Sequence, residues 1–262
     1  MPDGMRWSGL IPEPSIVAAL DHAGQKDDST TQNAKRHWSE RFANGCAIAV
    51  ANEFRQSSLK AKRILPESLE GGTEPLTPLG AGTEKRIDVT VVDTILGLEI
   101  GVSLKGFNFR DERALNYDKN LTGRLYELGD EVRVVHEHLP YAFMAGICFL
   151  PLASVDDKKS SSSASSFART VLALRNRTGR LDPTLPGQAG RCDAGYVALY
   201  TDGNEEALPR GLCRFINVGT APPRRGRPKI ETTKSLAEMV VEVIEAATST
   251  QGMDYSEPEE DL

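Results

Sequence analysis

The stretch Arg86 to Gly106, RIDVTVVDTILGLEIGVSLKG, constrains the fold more than any other part of the chain. Apolar residues alternate with polar or small ones on both sides of TILG, which predicts two antiparallel strands over 85–93 and 98–105. A hairpin loop of two or four residues centred on Ile95 and Leu96 places Asp93 opposite Leu98, Asp88 opposite Ser103 and Arg86 opposite Lys105. One face then carries Ile87, Val89, Val91, Leu98, Ile100, Val102 and Leu104, a core face. The other carries Glu84, Arg86, Asp88, Thr90, Glu99, Gly101, Ser103 and Lys105. Asp88 and Lys105 are diagonal neighbours, roughly 7 to 8 Å apart at the backbone, close enough for their side chains to converge. Glu99 lies on the order of 20 Å along the strand from Lys105 and cannot share a site with it.

The rest of the chain supplies elements to cover this hairpin. Residues 1–33 lack periodicity and are expected to form a flexible arm. From Ala34 to Arg55, Trp38, Phe42, Cys46, Val50 and Phe54 fall on one helical stripe, and the Pro- and Gly-rich stretch that follows reads as a loop. In NLTGRLYELGDEVRVVHEHLP, Leu121, Leu125, Leu128, Val132, Val135 and Leu139 recur at steps of four and three, with Asp118 or Asn120 as cap and Pro140 as stop. YAFMAGICFLPL predicts a fully buried strand, DDKKSSSSASS a solvated loop and FARTVLALRNRT a helix; GYVALYT and GLCRFINVG predict strands, and SLAEMVVEVIEAA a final helix. The order implies an α/β fold, a mixed sheet with helices on both faces, in one domain over 34–250 followed by an acidic disordered tail over 251–262.

A carboxylate and a lysine on adjacent strands, bordered by small residues, suit metal-assisted phosphodiester hydrolysis. The acid holds a hard cation, the cation activates water, and the lysine orients the nucleophile or offsets developing charge. The alternative is an ion pair at the rim of a sheet.

RIDVTVVD followed by EIGVSLKG, placed after one helix and before a helix and strand, resembles the PD-(D/E)XK superfamily of restriction enzymes, repair nucleases and junction resolvases. The likeness covers roughly residues 34 to 152. It implies a restriction endonuclease-like fold and a Mg²⁺- or Mn²⁺-dependent DNA endonuclease of restriction, defence or repair type. Asp88 matches the family's metal-binding Asp, Lys105 its Lys, and Leu104 the residue that lends a carbonyl to the metal; Ser103 stands where the second acid belongs. The resemblance offers Glu53 on the first helix as a replacement acid, and Glu84, on the same strand face as Asp88 and ahead of it, is the second candidate. It also places Arg124 against phosphate and Asn120 against a ligand, the alternative for Arg124 being an intrahelical pair with Glu127 or Glu131. The competing reading is a nuclease-fold DNA-binding or assembly subunit that has lost catalysis, and a homodimer is the modest expectation for an enzyme cutting both strands.

Charge enters at this point, because a net charge of −6 opposes binding to a polyanion. Five of the acids lie in the terminal DYSEPEEDL, so the body of the chain is near neutral and a local basic face is permitted. RRGRPK resembles an AT-hook core, which places Arg224, Arg225, Arg227 and Lys229 as DNA contacts, or else as a basic connection into the last helix. Arg169, Arg175, Arg177 and Arg180 are either backbone clamps or a solvated helix end, and His136 and His138 are expected to be structural. The four cysteines have neither zinc nor disulfide spacing and are expected as buried thiols. The chain shows no apolar run long enough to span a bilayer and no signal-peptide pattern, so a cytoplasmic protein without membrane contact is expected.

Overall fold

Strand β5 (Gly97–Gly106) is buried at every position from Leu98 to Lys105, and the other strands are arranged around it. The computed structural model describes residues 7, 9–69, 76–80, 83–157, 162–181, 185, 187–205 and 207–251; the expected acidic tail beyond them lies outside the described residues. The remaining strands are β1 (Arg63–Leu65), β2 (Leu76–Gly80), β3 (Thr83–Arg86), β4 (Val89–Asp93), β6 (Phe143–Pro151), β7 (Ala194–Tyr200) and β8 (Cys213–Asn217). The helices are α1 (Pro14–Ala23), α2 (Gln32–Gln56), α3 (Leu121–His138), α4 (Ser166–Arg175) and α5 (Leu236–Gln251).

Six strands form one mixed sheet in the order β1-β4-β5-β6-β7-β8. The β5–β6 and β6–β7 pairs are parallel, joined through α3 and α4, while β1–β4, β4–β5 and β7–β8 are antiparallel. Helices cover both faces, so β6, FMAGICFLP, is buried throughout and reads as a continuous apolar run rather than an alternating one. Phe143, Ala145, Ile147 and Phe149 face the layer of α1, α2 and α5. Met144, Cys148 and Leu150 face that of α3 and α4. The helix starts are chemically specified. Thr31 and Ser165 accept from the amides of Ala34 and Ala168, and Ser235 and Glu238 form a reciprocal capping box at the head of α5. No helix among the described residues is long and apolar enough to cross a membrane. All four cysteines are buried, unbridged thiols.

Several expectations are corrected. Residues 14–23 are not a loose arm: α1 packs on α2 through Ile16, Ala19, Leu20 and Ala23, all at most 2% exposed. The Pro- and Gly-rich loop contains β2, paired with β3 in a separate ribbon. The strand expected over 85–93 is two strands, because the backbone leaves the ladder at Ile87 and Asp88; Arg86 therefore pairs with Leu76 and not with Lys105. The hairpin loop has three residues, Thr94 to Leu96, closed by Asp93 opposite Gly97 rather than Leu98. Gly97 has φ +83°, and the Asp93 carboxylate accepts from the amides of Ile95 and Leu96 at 2.7 and 2.9 Å. The register then shifts between Val91 opposite Ile100 and Val92 opposite Leu98, which leaves Glu99 as the extra residue of a bulge. Ile87 and Leu98 consequently pack with α3 and α4, while Val89, Val91, Ile100, Val102 and Leu104 pack with α2.

The α1–α2 contact depends on Gly45, where a Cβ would lie 2.6 Å from both Cα and Cβ of Ala19. Gly45→Ala gains helix propensity but forces the helices apart, and the expected net loss is on the order of 2 kcal/mol, read from urea unfolding midpoints.

Candidate functional site

Asp88 occupies the break between β3 and β4. Pairing of β4 with β5 ends at Val89 opposite Val102, and just beyond that end Asp88 Oδ2 accepts the Leu104 N–H at 2.6 Å. Leu104 points into the α2 layer, so Ser103 and Lys105 on the same strand face α3. There they meet Glu131. Ser103 Oγ–H donates to Glu131 Oε2 at 2.5 Å, and Lys105 Nζ donates to both carboxylate oxygens at 2.8 Å. The Lys105 side chain is 9% exposed and that of Glu131 26%. A lysine this deeply placed requires a counter-charge, since an unpaired buried ammonium costs several kcal/mol. The adjacent Cys148 thiol is pushed up to about 12 by burial, with the Lys105 charge acting in the opposite direction.

This constellation forms the floor of a cleft of about 1070 Å³. One wall is the first half of α2, including Lys35, Arg36 and Glu40. The second is the 107–119 loop, with Arg110, Arg113 and Lys119. The third is the start of α3, with Asn120, Arg124, Glu127 and Glu131, and Arg86, Asp88, Leu104 and Lys105 lie between them. Most of the rim bases are ion-paired: Arg36 with Glu40 at 3.1 Å, Lys35 with Glu112 at 3.4 Å, Arg124 with Glu127 at 2.9 Å, and Lys119 with Asp111. Arg124 thus makes the intrahelical pair and also faces the cleft.

Asp88, Leu104, Lys105, Asn120 and Arg124 are brought to one cleft, with Ser103 bonded beneath them. Glu53 and Glu84 are not among its lining residues. Glu53 sits on α2 near Glu13, where burial and then the Glu13 charge raise its pKa above 4.5. Glu84 is exposed on β3, opposite Pro78. Glu99 lies at the far end of β5 in an ion pair with Lys62 at 3.0 Å. The RRGRPK segment folds against Val155, Asp156, Ser163 and Ser165. Arg224 C=O accepts from Ser165 N–H, Gly226 N–H donates to Val155 C=O, and Arg225 Nε binds Asp156 at 2.5 Å. Gly226 has φ +82°, a local turn in place of the extended path of an AT-hook. The other arginines are used inside the fold: Arg175 binds the carbonyls of Val218 and Thr220, Arg180 binds Asp193, and Arg169 reaches Asp118. His136 is buried between Ala189 C=O and Asp193.

Glu131 is the residue that sequence reasoning missed as a site member. Its signal was its place on the α3 stripe with Asn120, Arg124 and Glu127, but the rotation of α3 over β5 is a tertiary fact. Comparison with protein-family models, curated proteins and solved structures finds no match to this chain.

No group of three or more His, Cys, Asp or Glu side chains that could hold a metal ion occurs among the described residues. The floor of the cleft offers two carboxylates, Asp88 and Glu131, and the Leu104 backbone. That donor set fits Mg²⁺, which is commonly held by one or two carboxylates together with substrate phosphate, and it does not fit a tightly resident ion. Glu131 already accepts three hydrogen bonds, within the capacity of about four for an ionised carboxylate.

The Glu53 environment carries its own prediction. A carboxyl whose folded pKa exceeds its unfolded value loses stability as pH rises through the unfolded value, here 4.5. Glu53→Gln is expected to raise the thermal midpoint at about pH 7 and leave it unchanged below about pH 4.

Proposed function

We propose that the cleft is a metal-assisted phosphodiesterase site and that the chain is a PD-(D/E)XK-like endonuclease acting on DNA. The observation that carries this reading is the meeting of Asp88 and Lys105 around the Leu104 peptide at the floor of a cleft with a basic rim. Asp88 and the Leu104 carbonyl would hold the cation, and Glu131 stands in for the acid absent at position 103. Mg²⁺ or Mn²⁺, when bound, polarises the phosphate and lowers the pKa of coordinated water. Lys105 directs its ammonium at the attacking water and at the charge that develops on phosphate oxygen. Ser103 fixes the orientation of Glu131, and through it the position of Lys105. Asn120 and Arg124, on the face of α3 that lines the cleft, contact the flanking phosphate. Restriction, defence or repair in the cytoplasm, with a second copy where both strands are cut, is the setting this chemistry fits.

A second reading is favoured by one observation: Glu131 already neutralises Lys105 and occupies Ser103. In that reading the cleft binds DNA without cutting it. Cleavage of supercoiled plasmid in millimolar Mg²⁺ or Mn²⁺ separates the two. The nuclease reading expects chelator-sensitive nicking, with losses of about 10²- to 10³-fold in Asp88→Ala and Lys105→Ala that leave circular dichroism unchanged. Duplex binding with no nicking by the wild-type chain supports the second reading. Nicking that survives in Lys105→Ala overturns the first.

A further inference from the structure

Lys26, in the connection between α1 and α2, is buried although nothing in its local sequence requires it. Its side chain is 5% exposed, and Nζ lies 2.6 Å from Asp202 Oδ2, itself 4% exposed, just beyond β7. The same ammonium is 5.5 Å from the ring centre of Phe109, 5.9 Å from that of Tyr117 and 6.0 Å from that of Trp38. Three rings and a carboxylate around one cation make a strong attraction, because the cation has little water left to lose.

Phe109 and Tyr117 belong to the 107–119 loop, the wall of the cleft that presents Arg110, Arg113 and Lys119. Lys26 is thus bound to the rear of that wall. Tyr117 also lines a second hollow of about 530 Å³ on the Lys26 side, while its backbone N–H is held by Asp157 and Ser166, so the Lys26 contact bears on the ring and on Phe109. We propose that Lys26 is a positioning residue: it sets the 107–119 wall at its height over Asp88 and Lys105, and the grip of that wall on substrate phosphate depends on it. This rests on the reading of the cleft as a phosphodiester site. It gives the α1–α2 connection, remote from the chemistry in sequence, a part in substrate binding.

The test compares the full-length wild-type chain with Lys26→Met, Lys26→Arg and the double variant Lys26→Met/Asp202→Asn. The double variant removes the Asp202 charge together with its cation and so guards against simple unfolding. Amide hydrogen exchange in 107–119 is expected to rise about tenfold in the double variant, with α3 and β6 unchanged. Affinity for a labelled DNA duplex in metal-free buffer is expected to fall about tenfold, and Lys26→Arg, which keeps a cation over the rings, restores both. Unchanged loop exchange, or a loosened loop with duplex affinity intact, overturns the proposal. A wild-type chain that binds no duplex removes the reading of the cleft and the substrate role with it, while loop exchange still decides whether Lys26 anchors the wall.

Discussion

The contact on which the site depends is that of Lys105 with Glu131. A lysine in the central strand of a six-stranded sheet has nowhere to put its charge unless a covering helix presents an acid at that point. Meeting the requirement fixes the rotation of α3. Asn120, Arg124 and Glu127 share a stripe with Glu131 and therefore all turn to the cleft. The close seat of α3 is allowed from below by Gly146 on β6, where a Cβ would stand 3.0 Å from Leu128. One ion pair thus orients a helix, and the helix supplies a wall of the cleft.

Asp88 solves a different problem. Where β4 stops pairing, the amide of Leu104 has lost its neighbouring strand, and a buried N–H needs an acceptor. The aspartate supplies one and is held there half-buried, its carboxylate at the floor of the cleft. The break in the strand is therefore what creates the site: an unbroken ladder through Arg86 would have put a backbone carbonyl in that place. The bulge at Glu99 does related work at the other end of β5. It turns Leu98 toward α3 and leaves Glu99 with Lys62.

Alternation and helical stripes revealed the sheet, its central strands and four of the five helices, because a two-sided apolar sheet imposes those periods directly. Asp88 and Lys105 were placed near each other although the turn was misread, because the bulge at Glu99 offsets the three-residue loop and restores the expected register from Val91 to Val89. What escaped was whatever depended on contacts between elements. The helix Pro14–Ala23 carries a regular stripe of Ile16, Ala19, Leu20 and Ala23, but at ten residues it is too short to stand out in a Pro-, Gly- and Asp-rich context, and a helix of that length depends on its packing against α2. The break at Asp88 and the bulge at Glu99 each invert a face, and alternation read as continuous hides such inversions. Glu131 lies 26 positions beyond Lys105 on another element, and RRGRPK reads as a free basic arm until Asp156 is seen to hold Arg225.

The acidity of the chain does not oppose a polyanionic ligand in this cleft, because the acids that matter there are already committed. Glu40, Asp111, Glu112 and Glu127 each hold a rim base, and the exposed pairs among them, Arg36 with Glu40 and Arg124 with Glu127, contribute roughly 0 to 1 kcal/mol in water. Exchanging one of these carboxylates for a phosphate therefore costs little. Arg86 and Arg113 line the cleft with no ion pair among the described residues, and they would supply the direct attraction for the proposed ligand. Affinity built mainly by exchange releases few counterions, so it is expected to depend less on salt than the number of rim bases would suggest. A local cleft of this kind would reconcile a net charge of −6 with the proposed phosphodiester substrate, and specificity would then lie in geometry rather than in the field of the whole molecule.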